Sequence, residues 1–456
     1  MEPTAQAPAL REPPSSVISS LRYLGPGLIL SAAIVGSGEL IATTTLGAEA
    51  GFALLWVVLL GCLVKVAVQL EYGRHCIIHG VPTIQAFNAS KGLRIFGIHW
   101  AVYMGLGYLV GTLVGLGGVV GGAAQAAAHG FPQLSDKSWA VVIGVSLALI
   151  TFHGFYRPIE AMAILFNTCF MAAIIYCAFA VQSTEFAFSA ADVAEGVRFK
   201  VPTGTLPLAI SAFAITGVSS GEIFLYPYWC LEKGYGRWAG PRDDSEAWAA
   251  RARGWIRVMH VDALLSMCVY TFATVCFYLL GASVLGAQEE IKDGNELILQ
   301  LSGILTEVLG AGATAFFMVG AFAVLYSTAF ANCAGFGRLW TDFFHVCGFV
   351  NANNPAHRRR VIAVMSCIVP AAWTVTYLTF QKPQTLVIIL GIINGVFLLV
   401  IAWQALQFRY RGGDPRLAPS RRFDTALWLS VAAIALMAGL MLYCVLAPYL
   451  RANPVE

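Results

Sequence analysis

The sequence predicts an all-α integral membrane protein of 11 transmembrane helices, built as an inverted 5+5 repeat plus an eleventh helix, with helices 1 and 6 broken. Three observations lead there. The 456-residue chain is 58% hydrophobic and only 12% charged, with a mean hydropathy of +0.71, whereas a soluble domain carries about 25% charged residues. Eleven apolar runs approach the roughly 20 residues needed to cross about 30 Å of hydrocarbon. One short pattern also occurs twice inside such runs: Val35–Leu40 reads VGSGEL and Val218–Ile223 reads VSSGEI.

Residues 1–23 are rich in Pro, Ala and Ser and lack the apolar core of a signal peptide, so they read as a flexible cytoplasmic tail. The predicted spans follow at 24–46, 51–72, 98–123, 138–155, 159–182, 206–230, 258–283, 309–335, 360–380, 384–407 and 424–449. Loops 231–257 and 283–308 are the longest polar stretches; both read as partly helical connectors. With the N-terminus inside, the inner segments hold 21 Lys and Arg and the outer ones 6, with Lys65 left inside span 2. That asymmetry follows the positive-inside rule and places the C-terminus outside. It makes the basic clusters topology signals and argues against a nucleic-acid partner. The expected setting is a plasma (inner) membrane, with the lipid bilayer as partner and no obligate protein partner. The 11 cysteines are scattered and read as core residues, outside any disulfide or zinc framework.

The repeated pattern sits in spans 1 and 6. Five spans separate them, so two crossing segments run in opposite directions, as an inverted repeat requires. The first repeat is then 24–182, the second 183–407, and 408–456 adds a loop and span 11. In such folds the first helix of each repeat is interrupted near the midplane, and freed carbonyls and half-helix ends form the substrate site. Gly36, Ser37 and Gly38, with Ser219, Ser220 and Gly221, suit such breaks, because glycine tolerates unusual dihedrals and serine satisfies freed backbone groups.

GPGLILSAAIVGSGELIATTTLGAEAGFALLWVVLLGCLVKVAVQLEYGRHCIIHG (Gly25–Gly80) resembles the first two helices of the Nramp family of divalent metal-ion transporters, down to the G-P-G start, A-G-F-x-L-L-W-V and Gln69. YRPIEAMAILF (Tyr156–Phe166), MHVDALLSM (Met259–Met267) and LYSTAFANCAGF (Leu325–Phe336) extend the resemblance over nearly the whole chain. It implies a LeuT-like fold and a secondary transporter working by alternating access. The functional motifs depart from the family pattern. The D-P-G-N signature falls on Gly36, Ser37, Gly38 and Glu39, and M-P-H falls on Ser220, Gly221 and Glu222. The histidine five residues further on falls on Pro227, and the acidic residues of the third helix have no counterpart. The resemblance therefore implies a divergent member whose metal site and proton route are rebuilt.

Glu39 and Glu222 are the central candidates. An intramembrane carboxylate costs about 2.5–3.5 kcal/mol on insertion scales, and two at equivalent positions of two broken helices exceed what packing explains. With the freed carbonyls and the hydroxyls of Ser37, Ser219 and Ser220 they offer an all-oxygen cage, suited to a hard divalent cation such as Mg²⁺ or Mn²⁺. The alternative cargo is a small organic cation or zwitterion, an amino acid or amine; a channel or non-cycling receptor is the second alternative. No resident cofactor is expected, and a proton is the candidate coupling ion. Lys65 either snorkels inward or pairs with Glu39 or Glu222 as a charge-compensating group. His260 and Asp262 are candidate coupling or gating residues. Gln69, Thr328, Asn332 and Asn394 are candidates for lining the cavity. No nucleophile–base constellation or P-loop pattern is present in the sequence, which argues against an enzyme and against a primary pump.

Overall fold

The structure is a computed structural model that describes residues 10–27, 34, 36, 38–153, 156–286, 296–351 and 354–452, with side chains described for all of these except 156–164, 166 and 445–452. Among the described residues, eight helical runs are long and apolar enough to cross a membrane: Gly38–His79, Trp100–Gly130, Leu206–Lys233, Glu246–Leu285, Ala313–Val346, Pro355–Phe380, Pro383–Arg411 and Arg421–Cys444. The first contains the second half of predicted span 1 together with span 2. Predicted spans 4 and 5 correspond to the helices Asp136–His153 and Tyr156–Ala180. A small hairpin, Arg94–Ile95 with Ile98–His99, precedes span 3. The predicted loop 231–257 differs from expectation in one respect: its helical part is continuous with span 7, which runs Glu246–Leu280. Ser245 caps this helix, its side chain accepting from the Trp248 N–H.

The spans sort into two groups. In one, span 7 and both halves of span 6 pack on span 2, and span 7 also covers the second half of span 1. In the other, span 4 packs on span 9, span 3 on span 8, and spans 8 and 9 on each other. Span 10 touches both groups, meeting span 3 on one side and the first half of span 6 on the other. Any cavity between the groups is therefore walled by spans 1, 3, 6, 8 and 10.

Two local features fix the start of span 1 and its turn into span 2. The Asp262 carboxylate, from span 7, accepts the main-chain N–H groups of Gly25 (3.0 Å) and Gly27 (2.5 Å), while Lys233 donates to the Leu24 carbonyl at 2.8 Å. Downstream, Tyr278 holds the turn: its hydroxyl accepts from the Leu54 N–H at 2.9 Å and donates to the Gly51 carbonyl at 2.6 Å. The second half of span 2 buries a bidentate ion pair, Arg74 with Glu71, at 2.8 and 2.5 Å, satisfying two charges that would be costly alone.

Candidate functional site: a polar cavity between two helix breaks

Span 6 is interrupted. Half-helix 6a (Leu206–Ile215) stops at Thr216, and half-helix 6b (Ser220–Lys233) starts after Ser219. Gly217 takes φ +63°, and a Cβ there would also lie 2.9 Å from Cys62 Cα; the left-handed backbone and the close approach both call for glycine. Ser219 is extended and caps 6b. Its hydroxyl accepts from the Gly221 N–H at 3.2 Å, and the Glu222 carboxylate accepts the Ser219 N–H at 2.9 Å and, by a short bond, the Ser219 hydroxyl. S-x-x-E is a capping-box spacing.

Span 1 repeats the device less completely. Gly36 lies in a turn, and the Glu39 carboxylate accepts the Gly36 N–H at 3.4 Å, again three residues back. The second half of the span opens with a π-helical turn, Gly38–Thr43. Thr43 and Thr44 donate their hydroxyls to the carbonyls of Gly38 (3.1 Å) and Glu39 (3.0 Å), which accounts for the first two threonines of the run that follows the motif. A Cβ on Gly38 would sit 2.7 Å from Ile215 Cγ2, so this glycine lets the two breaks touch. Ser37 lies outside the described residues.

The two glutamates, equivalent in sequence, have different surroundings. Glu39 is fully buried and reaches across to the other break: it accepts the Gly217 N–H at 3.4 Å, with the Thr274 hydroxyl at 3.1 Å. Glu222 lines a cavity together with Ser219, Thr328, Asn332, Asn394 and Tyr108, and its apolar wall includes Ile34, Leu116, Ile215, Phe336 and Leu390. The cavity volume is about 30 Å³, room for one or two water-sized particles. Its polar groups are oxygen-rich and orderly. Ser220 donates to the Asn394 side-chain oxygen at 2.6 Å, and Asn394 donates to the Leu390 carbonyl at 2.9 Å. Asn332 donates to the Thr328 carbonyl at 2.9 Å and Thr328 to that of Val324 at 3.0 Å. Holding each amide by its nitrogen orients it, and in Asn394 the oxygen so oriented accepts from Ser220. Among the described residues no group of three His, Cys, Asp or Glu side chains is placed to hold a metal, so a cation here would need hydroxyl, amide or main-chain oxygens beside Glu222.

Lys65 corrects the sequence reading. It neither snorkels nor pairs with a glutamate: it is fully buried, and its ammonium donates to the carbonyls of Phe213 (2.7 Å), Ala214 (3.3 Å) and Thr216 (2.6 Å). Those carbonyls are the ones the end of half-helix 6a leaves free. Asp262 is likewise occupied, by the start of span 1, and it is not among the cavity-lining residues. His260 stacks on Phe423 of span 11, with ring centroids 6.2 Å apart. Gln69 is buried one turn beyond Lys65, away from the cavity lining. Three participants escaped the sequence reading: Gly217, Tyr108 and Thr274. Gly217 had a signal, a glycine directly before the second motif. Tyr108 had one too, as the lone aromatic in the MGLGYLVGTLVG run, whereas nothing in the sequence singles out Thr274.

A polar cavity lying between two interrupted helices of a membrane bundle defines the inverted-repeat, broken-helix class of membrane transport folds. Within that class the chain belongs to the Nramp family: the family model described as Natural resistance-associated macrophage protein-like matches residues 27–446. Relatives include proteins named divalent metal cation transporter MntH. The one from Xanthomonas campestris is 26% identical over 370 residues, covering 78% of this chain and 75% of its own. The one from Xylella fastidiosa is 25% identical over 362 residues, covering 73% and 69%. A crystal structure of the Eremococcus coleocola manganese transporter superposes with a TM-score of 0.66 at 14% identity, covering 99% of this chain and 93% of that one. MhsT, solved with L-phenylalanine, gives 0.58 at 15% identity over 94% and 100%. At these identities the structural likeness establishes the fold alone.

Proposed function

We propose that this chain is a secondary transporter that moves a hard, oxygen-ligated divalent metal cation such as Mg²⁺ or Mn²⁺ by alternating access. The cation occupies the cavity between the breaks, with Glu222 as its charged ligand and Ser219, Thr328, Asn332 and Asn394 as neutral oxygen donors. The observation that carries this is the cavity itself: about 30 Å³, lined by oxygen donors with no sulfur side chain among the described lining residues. Hard cations prefer oxygen, and sulfur would favour softer metals. At about 30 Å³ the space suits an ion and its water better than an amino acid. The names of the relatives agree with a metal cargo.

Glu39 then ties the breaks together, and alternating access moves the group of spans 1, 2, 6 and 7 against that of spans 3, 4, 8 and 9. Each repeat, 24–182 and 183–407, contributes its first two spans to one group and its third and fourth to the other. The setting is the plasma membrane with the N-terminus inside, a proton is the coupling ion, and the chain carries out transport rather than catalysis. Purified protein in proteoliposomes tests the reading. Saturable Mn²⁺ or Mg²⁺ uptake, accelerated by the same ion on the far side and absent in Glu222→Gln, is expected. Unitary channel conductance, or uptake of amines and no metal, would overturn it.

A further inference from the structure

In broken-helix transport folds, the unwound carbonyls at the C-terminal end of a half-helix are a place where cations are coordinated, because the helix dipole adds negative potential to unpaired oxygens. In this chain that place is filled from within. The end of half-helix 6a turns out three carbonyls, of Phe213, Ala214 and Thr216, and the Lys65 ammonium sits on all three at 2.7, 3.3 and 2.6 Å. A further carbonyl of the last turn, Ala212, takes the N–H of Thr216 and, by a short bond, its hydroxyl. Lys65 comes from another element, the turn in span 2 between Leu55–Leu63 and Val66–His79. Its charge also lies 5.3 Å from the centroid of the Phe213 ring, a cation–π contact in a desolvated site. The ion pairs among the described residues do not include Lys65. Main-chain oxygens are the hydrogen-bond partners of this charge.

We propose that Lys65 is a built-in monovalent cation: its ammonium fills the carbonyl site at the end of half-helix 6a that a dissolved potassium-sized ion would otherwise fill. The break in span 6 is then stabilised with no sodium or potassium bound. An ammonium and a potassium ion are of similar size and accept similar shells of oxygen, so the substitution is chemically conservative. What differs is that the tethered cation cannot leave. It ties span 2 to half-helix 6a in every state in which the bonds persist, and it keeps these three carbonyls out of the cargo's coordination shell. The inference goes beyond the cargo assigned above and does not depend on it.

The test reads cation binding directly, apart from any cargo. Lys65→Met keeps the side-chain stem and vacates the position of Nζ. Thermal unfolding of detergent-purified protein is followed in about 100 mM KCl, NaCl or choline chloride at equal ionic strength. For a site of millimolar affinity the stabilisation by mass action corresponds to a rise of about 2 °C. Lys65→Met is expected to show that rise in K⁺, less in Na⁺ and none in choline, and wild type is expected to be indifferent to the three salts. Wild type stabilised by K⁺ over choline, or a folded Lys65→Met equally stable in all three, would overturn the proposal. A merely structural lysine would lower stability by the same amount in every salt. Lys65→Gln, which also vacates the Nζ position, carries the same expectation if the methionine variant does not fold; should neither fold in choline, purification in KCl is expected to rescue them, and no rescue would overturn the proposal. A failure of metal uptake would leave this result untouched, so the two readings fail separately.

Discussion

Gly38→Ala is the perturbation whose consequence can be worked furthest from the geometry. The new Cβ would lie 2.7 Å from Ile215 Cγ2, whereas carbon atoms in contact prefer about 3.5–4.0 Å. About 1 Å must be found, either by Ile215 leaving its rotamer or by the breaks moving apart, and overpacking of this kind costs about 1–3 kcal/mol. Separation has a second effect. The Glu39 bond to the Gly217 N–H is already 3.4 Å long, near the limit of a useful hydrogen bond, so any widening breaks the tie between the two halves of the site. Gly38 and Ile215 both line the cavity, so cation affinity should fall along with thermal stability. Ile215→Ala removes the clashing methyl at the ordinary cost of about 2–5 kcal/mol for a buried isoleucine. The double variant should then be less destabilised than the sum of the singles, by about 1 kcal/mol or more in a double-mutant cycle. Unfolding of the four proteins in one detergent provides the assay. Strict additivity, or Gly38→Ala as stable as wild type, would refute the idea that the breaks are packed on each other here.

Other perturbations test separate parts of the account. Ser219→Ala removes the hydroxyl that caps half-helix 6b, and should cost about 1 kcal/mol of stability with a parallel loss of cation affinity by calorimetry, since Glu222 loses its anchor. Asp262→Ala leaves the N–H groups of Gly25 and Gly27 without their acceptor, a loss of about 1–3 kcal/mol. Limited proteolysis should then show faster cutting near residues 20–30. In the loop before span 11, Arg416 beside Asp414 holds that carboxyl down to about 2 from its ordinary 3.8. A depressed carboxyl stabilises the fold above its ordinary value and loses that contribution as pH falls through the folded one. The stability margin of wild type over Asp414→Asn should therefore be flat from neutral pH to about 4 and shrink below that, as unfolding curves across pH would reveal.

Much of the architecture was legible because membrane spans are written as apolar length, and because a break repeated five spans apart is a local pattern. The chemistry inside the breaks was less so. Glu39 and Glu222 look alike in sequence and share one role, reaching back three residues to a main-chain N–H. They part company over what lies opposite: Gly217 and Thr274 face Glu39, and the cavity faces Glu222. The S-x-x-E spacing at Ser219 was readable as a capping box from the start, and a charged residue at a cap is a simpler reason for its presence than a ligand role alone. The partners of Lys65 and Asp262 were illegible for a common reason. Each satisfies main-chain groups about 150 and 235 residues away, and a main-chain partner leaves no mark in the sequence of side chains. Charge-pair reasoning looks for an opposite charge, whereas a broken helix offers its own free ends.

The most direct measurement is calorimetry of the purified protein with Mg²⁺, Mn²⁺, Ca²⁺ and a panel of amino acids and amines, wild type beside Glu222→Gln. Glutamine keeps an acceptor oxygen for the cap at Ser219 and removes only the charge. The account predicts that a hard divalent cation binds wild type and that Glu222→Gln weakens it about 30-fold or more, the 2–5 kcal/mol typical of a lost buried charge partner, with folding unchanged. A variant that binds the same cation as tightly as wild type, or a wild type that binds only amines or amino acids, would contradict it.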